Sequence, residues 1–346
     1  MKKRGIFKIL LFLLILSLII GASAIAAYWY ILVKSNVKVT EDTFIYIKSN
    51  SDYVDVLQTL KSENIIDNVA TFEWVAQKKQ YPSKVKAGKY LVKPGTNNND
   101  LVNMLRSGDQ VPVYLEFNSI RTAEQLAERI SKQIEADSLS IINLLNDTAF
   151  IRNKGFDQYN RISVFIPNTY EIWWNTSAQD LYDKMYSEYQ KFWNEDRKNK
   201  AKLLNMSPVE VISLAAIIEQ ETAKKDERPK VAGVYLNRIK MGMPLQADPT
   251  LIFAAGDFSI RRVLNHHKEI ESPFNTYKYT GVPPGPICVP SISSIDAVLD
   301  FENHNYIFFC AKDDFSGYHN FAATYNEHLI NARKYQAAMN RKKIMK

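Results

Sequence analysis

From Ile9 to Val33 the chain carries no charged residue, and the run is mostly Ile, Leu, Phe and Ala. A helix of about 20 apolar residues crosses a bilayer, so this stretch is long enough to span one with some tilt. A cleavable signal has an apolar core of only about 7–15 residues. Ala22-Ser23-Ala24 does have the small residues of a cleavage site, but apolar residues continue through Tyr28-Trp29-Tyr30. Aromatics there suit the membrane–water interface. The run therefore reads as an uncleaved transmembrane helix, residues 9–33. Lys2, Lys3, Arg4 and Lys8 precede it. Basic residues stay inside, which makes 1–8 a cytoplasmic tail and puts everything after Lys34 outside the cytoplasm. The expectation is a single-pass protein of the plasma (inner) membrane with an extracytoplasmic, or periplasmic, body.

About 310 residues follow, enough for two domains of ordinary size. Their composition is that of a globular protein rich in Tyr and Phe. The formal net charge is +7. Part of it is the membrane-flanking cluster, and the rest suits an anionic polymer or simply a soluble surface. An outward-facing body without a binding motif argues against nucleic acid as a partner. The chain has two cysteines, Cys288 and Cys310. An oxidising compartment permits a disulfide between them, and the plainer reading is two small buried apolar residues. No Cys-x-x-Cys spacing is present. His266 and His267 are adjacent, and adjacent side chains point in different directions on a regular element. No metal site and no cofactor is expected.

The fold class expected is α+β: a transmembrane helix, a small βααβ module over 37–110 and a larger mixed domain over 111–346. In the module, Phe44–Ile47 and Gly88–Val92 read as strands, and Asp52–Lys61, Thr71–Lys79 and Asn98–Arg106 as helices. The order strand, helix, helix, strand resembles a LysM-like module, a fold associated with glycan binding. A plain stalk that holds the larger domain off the membrane fits the pattern equally well. In the larger domain, Val111–Phe117 reads as a strand and Thr122–Ile134, Leu139–Asn146 and Asp180–Asn194 as helices. Phe165–Tyr170 reads as a turn, and the highly charged 195–202 as a solvated connection.

The best-specified element begins at Ser207. Ser207-Pro208-Val209-Glu210 is a capping box with Pro at the first helical position. From Val209 to Ile218 hardly any polar face remains, so this helix belongs at the centre of its domain. Glu219 and Glu221 follow in its last turns. Residues two apart on a helix diverge by about 200°, so the pair cannot act jointly on one bond. A carboxylate in apolar surroundings resists ionising, and the negative end of a helix dipole adds to that. Such a group can hand over a proton near neutral pH. The bland alternative is a fraying surface end paired with Lys224, Lys225 or Arg228.

Polar loops cluster downstream. Tyr235-Leu236-Asn237-Arg238 lies near the end of a helix over 230–239. Gln246-Ala247-Asp248-Pro249-Thr250 and Glu271–Tyr277 read as loops, and Gly281–Ile287 as a stiff Pro/Gly loop. Amides, hydroxyls and aromatic rings on rigid loops suit a sugar, whose hydroxyls need hydrogen bonds and whose flat faces lie on rings.

Here the chain resembles the MltG/YceG-like endolytic murein transglycosylases. The matching residues are Ile217–Thr222, Asn237-Arg238, Leu245–Thr250, Ser272–Tyr277, Gly281–Gly285 and His319-Asn320-Phe321. The single N-terminal span and the LysM-like module also fit. The resemblance implies cleavage of the β-1,4 bond between N-acetylmuramic acid and N-acetylglucosamine in peptidoglycan, without water, leaving a 1,6-anhydro end. One acid/base residue suffices for that, whereas a conventional glycosidase needs two carboxylates. Gln220-Glu221-Thr222 looks like the Gln-Glu-Ser element of lysozyme-like lytic transglycosylases, so the resemblance makes Glu221 catalytic and Glu219 supporting. It implies substrate contacts at Asn237, Arg238, Gln246, Asp248, Thr250, Asn275, Tyr277, Pro284, Gly285 and His319. The expected partners are peptidoglycan strands and, beside them, cell-wall synthases.

One departure stands out. The family carries an acidic residue with Gly shortly before Phe-Pro-Asp-Thr-Tyr, where this chain has Ile162-Ser163 and then Phe165-Ile166-Pro167-Asn168-Thr169-Tyr170. No carboxylate contact is carried over to that loop. Two other readings compete with the transglycosylase: an inert glycan-binding scaffold for wall synthesis, and a hydrolase on the same substrate.

Overall fold

The computed structural model describes residues 2–118 and 120–342. Helix α1 (Lys2–Tyr28) runs into a wider π-turn, Trp29–Val33, closed by Lys34 N–H donating to Trp29 O at 2.8 Å. The stretch Gly5–Val33 is long and apolar enough to cross a membrane. The chain divides into two compact units. One holds everything up to Tyr114 together with Gln133–Glu135 and Glu171–Thr176, and the other holds Leu115–Lys132, Ala136–Tyr170 and the chain from Ser177 on.

The first unit follows the expected order. It contains β1 (Thr43–Ile47), α2 (Tyr53–Ser62), α3 (Val69–Lys78), β2 (Gly88–Val92) and α4 (Asn98–Ser107). β1 and β2 are antiparallel, with Ile45 opposite Tyr90. Ile45, Ile47, Tyr90 and Val92 turn one face of this ribbon into the core, where Leu60, Phe72, Tyr81 and Leu101 close over it. Side chains of Asp52, Asn68 and Asn97 cap the three helices, each satisfying amides that would otherwise have no partner. Asn98 is fully buried and donates to Ile31 O at 2.9 Å, which ties the end of the apolar N-terminal helix to this core.

The second unit is mostly helical. The strands β3 (Val113–Glu116) and β4 (Thr169–Ile172) each fall partly in either unit, and the second unit's other elements are α5 (Ala123–Ser131), α6 (Ser138–Asn146), α7 (Thr148–Asn153), α8 (Ala178–Phe192), α9 (Glu195–Leu203), α10 (Pro208–Glu221), α11 (Arg228–Lys240), α12 (Asp248–Ala255), α13 (Ile292–Leu299), β5 (Phe308–Ala311), β6 (His319–Ala322) and α14 (Tyr325–Arg341). β3 pairs with β4, and β5 with β6 in antiparallel register, Phe309 opposite Phe321. α10 lies at the centre. Val211, Leu214, Ala215, Ile217 and Ile218 lose all solvent contact, and α9, α11, α12 and α13 pack around them.

Several expectations need correction. The charged stretch 195–202 is helix α9, not a solvated connection. It has no apolar stripe, but Asn194 caps it, Glu195 and Asp196 sit in its first turn, and Lys200 and Lys202 in its last, so charge complements the helix dipole at both ends. The turn at Phe165–Tyr170 already enters β4 at Thr169. The loop Gln246–Thr250 ends early, because α12 starts at Asp248 with Pro249 in its first turn, where a missing N–H costs nothing. His266 and His267 do not diverge: their ring centroids lie 4.0 Å apart. They sit in a 3-10 turn, and the His267 ring folds back to accept the Leu264 amide at 2.8 Å. Cys288 and Cys310 are both free thiols, the first buried and the second only partly so.

Candidate active site

The capping box at the start of α10 is formed: Glu210 accepts the Ser207 amide at 2.7 Å, and Ser207 Oγ accepts the Glu210 amide at 3.3 Å. The helix then delivers two carboxylates to different neighbours. Glu219 Oε2 accepts the Ser291 amide at 2.8 Å, the Ser294 hydroxyl at 2.6 Å and the Ser291 hydroxyl. These groups open α13, whose own N-cap residue, Ser291, makes no side-chain cap bond. Glu219 thus caps a neighbouring helix with its negative charge at the positive end. Arg228 Nη1 lies 3.5 Å from the same oxygen and donates to Ser291 and Ser293 at 2.9 and 3.0 Å. Of the bland pairings, the one with Arg228 exists, and it is buried rather than on a fraying end.

Glu221 faces elsewhere. Its Oε1 accepts the hydroxyl of Tyr235, on α11, at 2.9 Å. The carboxyl keeps some solvent contact but is packed deeply enough for burial to govern it. Burial pushes its pKa up from 4.5 to about 7, against the Tyr235 hydrogen bond and the Arg238 charge, which favour ionisation, and with help from the negative Asp248. Asp248 in turn accepts the Tyr277 hydroxyl at 2.6 Å. Glu221, Tyr235, Arg238, Asp248 and Tyr277 therefore form one electrostatic cluster, and burial with neighbouring negative charge holds both phenols well above their ordinary range.

The remaining expected contacts divide. Gln246 is exposed, with φ at 52° in the left-handed region, and its amide donates to Thr276 O at 3.0 Å. Pro284 is half-buried in the stiff loop Gly281–Ile287. Others are committed inside the protein. Asn237 donates to the carbonyls of His304 and Tyr306 at 2.7 and 3.0 Å. Arg238 donates to the carbonyls of Ile307 and Leu245, both at 2.7 Å. Thr250 is fully buried against Ala247 O and Thr276 Oγ. Asn275 is fully buried and ties Lys268 O and Ile270 O to the Tyr277 amide. Gly285 lets the stiff loop touch the backbone at Tyr159, since a Cβ there would stand 2.0 Å from Tyr159 O. His319 is held by Glu227, its Nδ1 2.7 Å from Oε2.

Three features escape a reading of motifs alone. Tyr235 is 1% exposed, and a phenol at a buried position needs a partner, which is the signal that could have found it. Ser291 and Ser294 carry no local mark of their link to Glu219. Arg121 donates to Gln220 Oε1 at 2.7 Å and lies over the Phe258 ring at 4.9 Å. With Pro249 and Phe253 they line a cavity of about 110 Å³ beside the end of α10.

Comparison with known proteins identifies the chain's relatives. The sequence profile of the YceG-like family matches residues 45–334. An endolytic murein transglycosylase of Bacillus subtilis (strain 168) is 31% identical over 316 residues, covering 86% of this chain and 86% of that protein. The endolytic murein transglycosylase of Streptococcus pneumoniae serotype 2 is 25% identical over 297 residues, 77% of this chain and 53% of that protein. The crystal structure of a yceG-like protein from Listeria monocytogenes superposes with a TM-score of 0.56 at 25% identity, covering 84% of this chain and 99% of that one. The chain belongs to the YceG-like family.

Proposed function

We propose that this protein is a membrane-anchored endolytic peptidoglycan transglycosylase with Glu221 as its single acid/base. The observation that carries the reading is the Glu221 carboxyl itself, hydrogen-bonded by Tyr235 and held near pKa 7 by burial. At neutral pH such a group exists in both protonation states, which a reaction using one residue twice requires. Protonated Glu221 gives its proton to the bridging O4 as the bond from muramic-acid C1 to that oxygen breaks. The carboxylate left behind then takes the proton of the same sugar's 6-hydroxyl while O6 bonds to C1. The ring closes to the 1,6-anhydro product, Glu221 is protonated again, and no water enters. Glu219 supports the site by fixing the end of α10 against α13.

The anchor gives this reading its location. With the basic N-terminus inside, the catalytic unit lies outside the cytoplasm, close to where nascent strands emerge. The βααβ order of the first unit supports a LysM-like, glycan-binding role for it, and cell-wall synthases are natural neighbours there. Purified glycan strands digested with the protein and analysed by mass spectrometry test the assignment. Anhydro ends that disappear in Glu221→Gln support it. Reducing ends would identify a hydrolase instead, and binding without any change in strand length would identify a scaffold.

A further inference from the structure

Glu227 sits where α10 hands over to α11. It ends the short 3-10 turn Lys225–Glu227 and directly precedes Arg228. It is only 6% exposed, yet its side chain makes no cap bond to α11. Burying a carboxylate is costly unless its oxygens are well satisfied, and these are. Oε2 accepts the Thr222 hydroxyl at 3.2 Å and lies 2.7 Å from His319 Nδ1, while Oε1 accepts the His319 amide at 2.8 Å. A carboxylate offers no proton, so Nδ1 is the donor in this pair.

Both of its partners lead back to Glu221. Thr222 is the C-cap of α10 and follows Glu221 in the chain. The His319 ring meets Phe309 edge-on at 5.2 Å, and Phe309 meets Tyr235 edge-on at 5.8 Å. Tyr235 donates to Glu221. The contacts close into a ring, running from Glu221 through Tyr235, Phe309, His319, Glu227 and Thr222 back to Glu221.

We propose that Glu227 is a positioning residue: by gripping Thr222 and His319 with one carboxylate it fixes the Glu221 carboxyl against Tyr235. This rests on the reading of Glu221 as the acid/base. An unanchored Glu221 would swing toward solvent, lose the burial that keeps it protonated, and release protons at lower pH.

Two measurements on the full chain test it. In the first, kcat and KM on glycan strands are compared for wild type, Glu227→Gln, His319→Gln and the double variant. The expected result is a kcat at least tenfold lower for Glu227→Gln at unchanged KM and Tm, and a double variant no worse than the poorer single one, because both act through one contact. Wild-type kcat, or a loss matched by a fall in Tm and a rise in KM, overturns the proposal. In the second, NMR follows the Glu221 carboxyl titration in wild type and Glu227→Gln, and a shift to lower pH in the variant is expected. An unmoved titration overturns the proposal even if the wild type forms no anhydro ends, so the two readings fail separately. Should Glu227→Gln not fold, Thr222→Val removes one of the two grips and must shift the titration in the same direction.

Discussion

The Tyr235 hydroxyl, almost wholly buried on α11, donates to Glu221 Oε1 across 2.9 Å at the end of α10. This bond opposes the effect of burial. Burial raises the Glu221 pKa, and the phenol pulls it back by favouring the charged form.

Tyr235→Phe removes that opposition and leaves the packing nearly intact. The Glu221 pKa then rises above about 7. On the proposed mechanism cleavage needs the protonated acid, so the fall in activity at high pH moves to still higher pH. Turnover drops as well, by roughly tenfold to a hundredfold, because the carboxyl loses the group that orients it. A pH profile of kcat/KM in both proteins checks the direction.

Glu221 also sets a pH dependence of stability. Its folded-state pKa, about 7, lies above the ordinary 4.5. Between those values the folded protein binds more protons than the unfolded chain, so stability falls as pH rises. Below the window both states are protonated and there is no penalty. Above it the penalty is complete, roughly 1–3 kcal/mol. Glu221→Gln lacks the ionisation, so it should match the wild type near pH 4 and exceed it in stability at pH 8. Urea unfolding at the two pH values measures this, and a wild type equally stable relative to the variant at both would refute the burial argument.

Glu219 makes a different prediction, because its partners are structural. Arg228 is 7% exposed at its side chain and relies on Glu219 for charge compensation. Glu219→Ala strands that guanidinium and removes the cap of α13, costing ~3 kcal/mol. The urea midpoint should fall, while the Glu221 titration in the folded protein stays near 7. Equal losses of stability for Glu219→Ala and Glu221→Ala would mean the two carboxylates are not divided as described.

The stiff loop offers a steric test. A Cβ on Gly285 would stand 2.0 Å from Tyr159 O and 2.6 Å from Tyr159 C, both backbone atoms that cannot move aside alone. Gly285→Ala should cost ~2 kcal/mol and displace the loop. Gly281 in the same loop has open space around its missing Cβ but φ at +83°, so Gly281→Ala should cost about 1 kcal/mol through backbone strain alone. Thermal unfolding ranks the two.

What the sequence made legible follows from where each signal resides. The central helix is written locally, in the Ser207 box and the run to Ile218 that only Glu210 and Ser213 interrupt, and both are realised in α10. The module's strands and helices carry clean periodicity, so their order came through. Helix α9 did not, because its stability lies in caps and charge rather than in an apolar stripe. The candidate site stands out in the sequence as motifs, but its internal hydrogen bonding does not. Asn237, Arg238, Thr250 and Asn275 look like sugar ligands in a polar stretch, yet each binds backbone or side chain within the fold. A long-range partner such as Ser291 for Glu219 leaves no mark in the chain segment that bears it, and Tyr235 carries only the general need of a buried phenol for a partner, which does not point to Glu221.

Asp248 supplies a counter-test to Tyr235. Its charge is among the influences raising the Glu221 pKa, and its Oδ1 accepts the Tyr277 hydroxyl at 2.6 Å. Asp248→Asn keeps an acceptor for that hydroxyl and keeps the start of α12, while removing the charge. The Glu221 pKa should then fall below about 7, so the loss of activity at high pH should begin earlier than in the wild type. That is opposite in sign to the shift from Tyr235→Phe, although both substitutions are nearly isosteric and both sit beside the same carboxyl. If Asp248 also holds the glycan, KM rises in addition, which is separable from the movement of the profile. Profiles that move in the same direction for both variants would show that something other than the local charges sets the proton affinity of Glu221.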